Sequence, residues 1–170
     1  EKILSLYEED IHVIVRGKAG ANVEFGNGLL VVESAEGFIV DHQLEQQRLP
    51  DDGRWLRERL PGIKAKCGGG KLTVCADRGF DSTTTSKYLQ KQEVSNAICP
   101  RNPQELARRC AQEPGFVGLL RRRGGTEARI AIVKNVFLDG VPRAKGFKHR
   151  QVQVAWAVFT HNLWVVARLA

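Results

Sequence analysis

The order of apolar patterns along the chain is the feature that most limits how it can fold. Strand-like runs and short helical segments alternate through the first 100 residues, and the pattern from Gln104 onward is helical. The order strand, strand, helix, strand, helix, strand and then helices is typical of α/β proteins. We therefore predict a mixed sheet covered by helices, with residues 1–170 forming one domain without internal repeats.

Turn and capping residues set the predicted element boundaries. Strands are predicted over residues 23–33, 38–44, 72–76 and 96–99, and helices over residues 51–60, 82–92, 104–112 and 149–169. Pro61-Gly62 is expected to stop the first helix, and Ser82 to cap the second. In the last helix one stripe is apolar and is expected to face the core; it comprises Val152, Trp156, Phe159, Leu163 and Val166.

Asp77 is the first candidate functional residue. It follows the apolar run over residues 72–76, so its carboxylate would be held rigidly at a strand end yet face an opening. Gly79 is expected to let the backbone turn sharply there. Mg²⁺ binds oxygen ligands of this kind, although a strand-end aspartate can also simply cap the following helix.

Glu127 is the second candidate carboxylate. The Gly124-Gly125 pair is predicted to break the preceding helix, and Thr126 to cap a new one running to residue 137. Glu127 would then lie in its first turn, with Lys134 two turns later on about the same side. Glutamates at helix starts are commonly partners of the helix dipole, and the cations that flank Glu127 favour a functional role instead.

The excess of positive charge lies in the last 70 residues of the chain. Residues 1–100 carry 13 Lys/Arg against 15 Asp/Glu, whereas residues 101–170 carry 13 against 4. Such asymmetry is typical of a nucleic-acid-binding surface, although a basic surface also promotes solubility. Arg121, Arg122 and Arg123 lie just before Glu127 and could grip phosphate oxygens; the other interpretation is a solvated run of charges.

These residues resemble a known pattern. The spacing of Arg123, Glu127 and Lys134 is similar to the Tyr-x2-Arg-x3-Glu-x6-Lys signature of bacterial insertion-sequence transposases with an Asp-Asp-Glu catalytic domain. Leu120 stands where that signature has tyrosine, which puts one contact to the DNA backbone in doubt. Three further segments resemble the family in the same order: residues 18–26 its second strand, 76–80 the region of its second catalytic aspartate, and 161–163 its closing helix.

The resemblance implies a ribonuclease-H-like fold that lacks its first strand, and metal-dependent DNA cleavage and strand transfer. Asp77 and Glu127 would bind two Mg²⁺ or Mn²⁺ ions, which activate water or a DNA 3′-hydroxyl for in-line attack on phosphorus. Arg123 and Lys134 would position phosphates. The implied partners are double-stranded DNA, at the transposon ends and the target, and further copies of the full-length protein.

The family also needs a third carboxylate, on its first strand. We expect this aspartate to lie upstream of residue 1, with Asp10 as the alternative, and we therefore predict that the chain alone is inactive. Asp41 falls in the third-strand position, where the family has no ligand. Two other hypotheses stay open: a transposase remnant that binds DNA without cutting it, and a ribonuclease-H-like nuclease without strand transfer.

Other classes of protein fit the sequence less well. The four cysteines have no spacing typical of a zinc site. No signal peptide is recognisable, so we expect the protein to lie in the reducing bacterial cytoplasm, where it would associate with the nucleoid. No apolar run reaches the roughly 18 residues of a membrane span.

Overall fold

The computed structural model describes residues 10–18, 21–47, 51–68, 70–138 and 144–169. It divides into two compact units. The first takes in the described residues of Glu1–Arg48 and Ile130–Ala170, and the second those of Leu49–Arg129. The expectation of one domain over residues 1–170 stays a prediction.

The first unit consists of two antiparallel strand pairs and a long C-terminal helix. Its elements are β1 (His12–Lys18) paired with β2 (Ala21–Gly26), β3 (Leu29–Glu33) paired with β4 (Ile39–Leu44), a π-helical segment (Val133–Phe137) and α5 (Phe147–Leu169). Two strands thus replace the single run predicted over residues 23–33, while β4 and α5 agree with prediction.

The core of the first unit lies between the β3–β4 pair, the π-helical segment and α5. Its buried residues are Ile39, Val133, Leu138, Val154, Ala157 and Val158. The side chain of Asn162 joins α5 to β4, because its Oδ1 accepts from the backbone nitrogen of Ile39 and its Nδ2 donates to the Ile39 carbonyl, both at 2.9 Å. His161 is fully buried beside it, edge-on to the ring of Phe137.

The predicted core stripe of α5 is wrong. The residues that α5 buries are Arg150, Val154, Ala157, Val158, His161 and Val165. The predicted stripe of Val152, Trp156, Phe159, Leu163 and Val166 is exposed. Both sides of this helix are apolar, so periodicity alone does not identify the side that packs on the unit.

The second unit is built around one parallel strand pair and its crossover helix. Its elements are α1 (Asp52–Lys66), β5 (Thr73–Val74), a 3₁₀ turn (Arg78–Phe80), α2 (Thr83–Lys91), β6 (Ser95–Asn96), α3 (Pro103–Gln112) and α4 (Phe116–Ile132), whose last three residues belong to the first unit. Backbone hydrogen bonds extend the β5–β6 pairing on both sides, so the predicted strands at 72–76 and 96–99 pair along most of their length.

Local signals and burial explain these helices. Ser82 caps α2 as predicted, since its Oγ accepts from the backbone nitrogen of Thr85 at 3.1 Å. The predicted stop at Pro61 is wrong, because α1 continues to Lys66. Leu60 and Ile63 are buried on either side of the exposed Pro61-Gly62 pair, and burial of Ile63 favours continuing the helix.

The class of the fold is α/β, as the sequence predicts. The strands in the described ranges form three two-stranded sheets, so the single mixed sheet that was predicted is not seen there. Among the same residues, no helix combines the length and the apolar character that crossing a bilayer requires.

Candidate active site

Asp77 lies where the sequence places it, just past the β5–β6 ladder. The ladder ends with the backbone nitrogen of Cys99 donating to the carbonyl of Ala76 at 3.0 Å, one residue before Asp77. The Asp77 Oδ1 accepts from the backbone nitrogen of Arg78 at 2.7 Å and so caps the 3₁₀ turn. The side chain is still 58% exposed, so the carboxylate is held from one side and open on the other.

Arg101 braces the turn that follows Asp77. Its Nε donates to the carbonyl of Arg78 and its Nη2 to that of Gly79, both at 2.9 Å. Its backbone nitrogen donates to Asp81 Oδ2 at 2.8 Å. Sequence reasoning missed this residue. Arg101 follows directly after the strand that pairs with β5. Because the carboxyl ends of parallel strands meet at one edge of a sheet, this position could have placed Arg101 near Asp77.

The backbone turns at Gly79 as predicted, within the 3₁₀ turn, but it does so without a conformation that requires glycine. Its φ is not positive, unlike that of Gly115 before α4. A Cβ atom on Gly79 would lie 2.5 Å from Oδ2 of Asp52, at the start of α1. A side chain at position 79 would therefore require the carboxylate of Asp52 to move.

Glu127 lies in the interior of α4 and not at a helix start. The helix is continuous from Phe116 to Ile132, so the predicted break at Gly124-Gly125 and the predicted cap at Thr126 are both wrong. Two glycines lower helix stability but do not forbid a helix. Glu127 is therefore placed by its position on α4, one turn after Arg123, and a role as helix-dipole partner is excluded.

Arg123 brings the two predicted carboxylates together. Its Nη1 lies 2.7 Å from Glu127 Oε1 and 3.4 Å from Asp77 Oδ1. Because both distances share one nitrogen, the two oxygens are at most roughly 6 Å apart, so one cation between them could contact both. The side chain of Glu127 is 64% exposed and that of Arg123 30%, so the guanidinium is the most sheltered of the three groups.

The rest of the arginine run lies on the same helix. Arg121 and Arg122 are exposed on α4. Arg122 is close enough to the end of β5 to affect Cys75: burial raises the pKa of the Cys75 thiol, and the positive charge of Arg122 opposes this in part. The thiol therefore stays protonated at neutral pH and is a poor metal ligand.

The remaining predicted residues belong to the first unit. Lys134 is exposed in the π-helical segment, and its position relative to the two carboxylates stays a prediction. Asp10, the alternative third carboxylate, accepts a hydrogen bond from Gln46 Nε2 at 3.0 Å. Asp41 is buried in β4.

The donor set suits a divalent cation but is incomplete within the described residues. No group of three or more His, Cys, Asp or Glu side chains in that part of the chain is arranged to hold a metal ion. Asp77 and Glu127 supply carboxylate oxygens on two sides of the Arg123 guanidinium. A divalent cation could bind between these oxygens in place of the guanidinium.

In comparisons with known proteins, no protein-family model, no curated protein and no solved structure matches this chain.

Proposed function

We propose that this chain is the catalytic core of a DNA transposase, which cleaves DNA strands and joins a 3′-hydroxyl to a target with the help of divalent metal ions. The observation that carries the proposal is the meeting of Asp77 and Glu127 at one nitrogen of Arg123. These three residues also carry the resemblance to insertion-sequence transposases, and they come together although two of them lie far apart in sequence.

The charges of this group support a metal-dependent role. Two carboxylates around one guanidinium leave a net negative charge, which favours binding of a divalent cation. Asp77 and Glu127 would hold Mg²⁺ or Mn²⁺, and when bound these ions would stabilise charge on phosphate oxygens and lower the pKa of bound water. Both carboxylates are more than half exposed, so a substrate as large as DNA can reach them.

The arginines would act on the DNA itself. Arg123 would exchange its hydrogen bond to Glu127 and its ion pair with Asp77 for a phosphate, because a guanidinium binds phosphate oxygens in paired hydrogen bonds. Arg121 and Arg122 are exposed one turn or less before it and would hold neighbouring phosphates. Lys134 would add a further phosphate contact.

The local fold is compatible with the ribonuclease-H-like architecture that we propose. β5 and β6 are parallel and are connected through α2, which is the βαβ arrangement that such a sheet needs. Asp77 lies at the carboxyl end of β5, the edge where open α/β sheets place their functional groups.

Metal binding by the two carboxylates is the first test. We expect Asp77→Asn and Glu127→Gln each to weaken Mn²⁺ binding at least about tenfold in isothermal titration calorimetry. Glu58→Gln is the matched control, because Glu58 pairs with Arg54 four residues away at 2.7 Å, as Glu127 does with Arg123. Equal Mn²⁺ affinity in all three variants would refute the proposed site.

Replacing Arg123 separates metal binding from DNA binding. Arg123→Gln removes the positive charge that competes for the two carboxylates, so we expect Mn²⁺ affinity to rise while DNA affinity falls. A variant that merely damaged the fold would lose both. Parallel loss of both affinities in a variant with unchanged circular dichroism would contradict the role given to Arg123.

A second candidate function is DNA binding without catalysis. It is favoured by the ion pairs of Arg123 with both carboxylates, which satisfy these groups without a metal. DNA affinity measured in EDTA and in Mn²⁺ distinguishes the two functions. A metal-independent binder would give the same affinity in both, and Asp77→Asn would leave that affinity unchanged or raise it.

A further inference from the structure

Helix α5 has two apolar sides, and only one of them packs on the first unit. The buried side is centred on Val154, Ala157 and Val158. The other side, here called the α5 seam, comprises Val152, Trp156, Phe159, Leu163 and Val166, which are between 52% and 62% exposed. A contiguous exposed apolar row of this kind is typical of a surface that binds something. A helix that is apolar all round is normally buried all round.

The spacing along the α5 seam is that of a helix-pairing surface. Its residues follow one another at intervals of four, three, four and three. This is the heptad spacing at which a straight row of apolar side chains faces a second helix and packs knobs into holes. A helix that only covered a flat sheet would need no such regular row.

The charge around the seam favours an identical partner. Residues 151–167 contain no charged side chain, although the whole chain has a formal net charge of +7. If two copies paired through the seam, like charges would not meet there, although the whole chain is basic. An amphipathic helix that lies on a membrane carries Lys and Arg on its other side, but the other side of α5 is in the core.

The size of the seam is sufficient for a weak dimer. Trp156 and Phe159 contact each other edge to face, with ring centroids 5.8 Å apart, and form its largest part. Aromatic side chains bury about 150–250 Å² each, so the five residues offer on the order of 500 Å² per copy and about 1,000 Å² per pair. This is near the lower limit for specific interfaces.

We propose that the α5 seam is a self-association surface through which two copies of this chain pair about a two-fold axis. Trp156 lies near its centre and would insert between seam residues of the partner copy. The transposase resemblance also implies association with further copies, but the α5 seam is argued from α5 alone and uses none of the residues of the candidate active site.

Sedimentation velocity over a range of protein concentrations tests it. We expect a monomer–dimer equilibrium for the wild-type chain, and only monomer at every concentration for Trp156→Glu. Gln151→Glu is the matched control, since it adds the same charge to an exposed position of α5 outside the seam and should dimerise like the wild type. Leu163→Glu, one heptad later, should behave like Trp156→Glu, and unchanged circular dichroism would establish that each variant is folded.

Three results would overturn the proposal. A wild-type chain that stays monomeric at all concentrations has no self-association surface. A dimer that persists in both seam variants lies elsewhere on the protein. A monomer that binds phosphatidylcholine vesicles through Trp156 uses the seam for lipid instead.

Discussion

Arg109 holds together the elements that position the two carboxylates, and replacing it tests how the site is built. Its Nη2 donates to the carbonyl of Asn96 in β6 at 2.7 Å and to Glu113 Oε2 at 2.8 Å. Its guanidinium carbon lies 4.1 Å from the ring centre of Phe116, the first residue of α4. One side chain, 14% exposed, thus links α3, β6 and α4.

The expected effect of Arg109→Ala follows from these contacts. A hydrogen bond from a charged donor contributes about 1.5–3 kcal/mol to stability, and a sheltered cation–π contact about 1 kcal/mol. Glu113 is 40% exposed, so solvent screens its ion pair and we assign it little. We expect the free energy of unfolding to fall by about 3 kcal/mol, which lowers the melting temperature by roughly 6–12 °C for a chain of this size.

Thermal unfolding followed by circular dichroism measures this loss. Arg108→Ala is the control, because Arg108 is the adjacent arginine of α3 and pairs with Glu105 at 2.6 Å, but both partners are at least two-fifths exposed. We expect the control to leave the melting temperature nearly unchanged. Equal shifts in the two variants would refute the reasoning, since burial of Arg109 would then contribute nothing.

The pH dependence gives the same prediction a second readout. The hydrogen bond from Arg109 lowers the pKa of Glu113 below its ordinary value. A group whose pKa is lowered by folding stabilises the protein above its unfolded pKa, and this contribution is lost as pH falls through the folded pKa. The difference between wild type and Arg109→Ala should therefore be constant at neutral pH and shrink only slightly in acid, as Glu113 becomes protonated.

Two further predictions concern the neighbouring parts of the site. Arg101→Ala should weaken Mn²⁺ binding about tenfold, because it releases the turn that follows Asp77. Arg101→Lys should bind Mn²⁺ equally weakly, because one ammonium group does not reproduce the two hydrogen bonds of the guanidinium. Wild-type Mn²⁺ affinity of either variant in calorimetry would contradict this. Replacing both Arg121 and Arg122 with Ala should reduce the slope of log DNA affinity against log salt concentration by about 2. The control Arg54→Ala should leave the slope unchanged. An unaltered slope in the double variant would show that these two arginines do not contact DNA.

In the second unit, local sequence signals predicted element boundaries correctly where no tertiary packing opposed them. The cap at Ser82 and the strand ends near Asp77 depend on neighbouring residues, and both were predicted. Pro61 and the Gly124-Gly125 pair are helix-breaking signals of the same local kind, yet the helices pass through them. For Pro61 the reason is packing, since Leu60 and Ile63 are buried in a core that the local sequence does not reveal.

The α5 stripe failed for a different reason. Periodicity identifies an apolar side of a helix, but α5 has two, and nothing in the spacing states which one the rest of the unit covers. Asn162 and His161 separate them, because the polar pair is drawn into contact with β4 and Phe137 and turns that side inward. The buried side of α5 thus carries His161 and the partly buried Asn162 together with its smaller apolar residues, whereas its larger apolar residues are exposed.

The meeting of Asp77 and Glu127 is a tertiary effect that no spacing in the sequence contains. Asp77 is fixed by the pairing of β5 with β6, β6 is joined to α4 through Arg109, and α4 carries Arg123 one turn before Glu127. Two of these links, the β5–β6 pairing and the Arg109 contacts, join residues that are distant from one another in sequence. Since the two carboxylates converge only if every link holds, Arg109 should matter for metal binding as well as for stability, although it belongs to neither the recognised motif nor the proposed metal ligands.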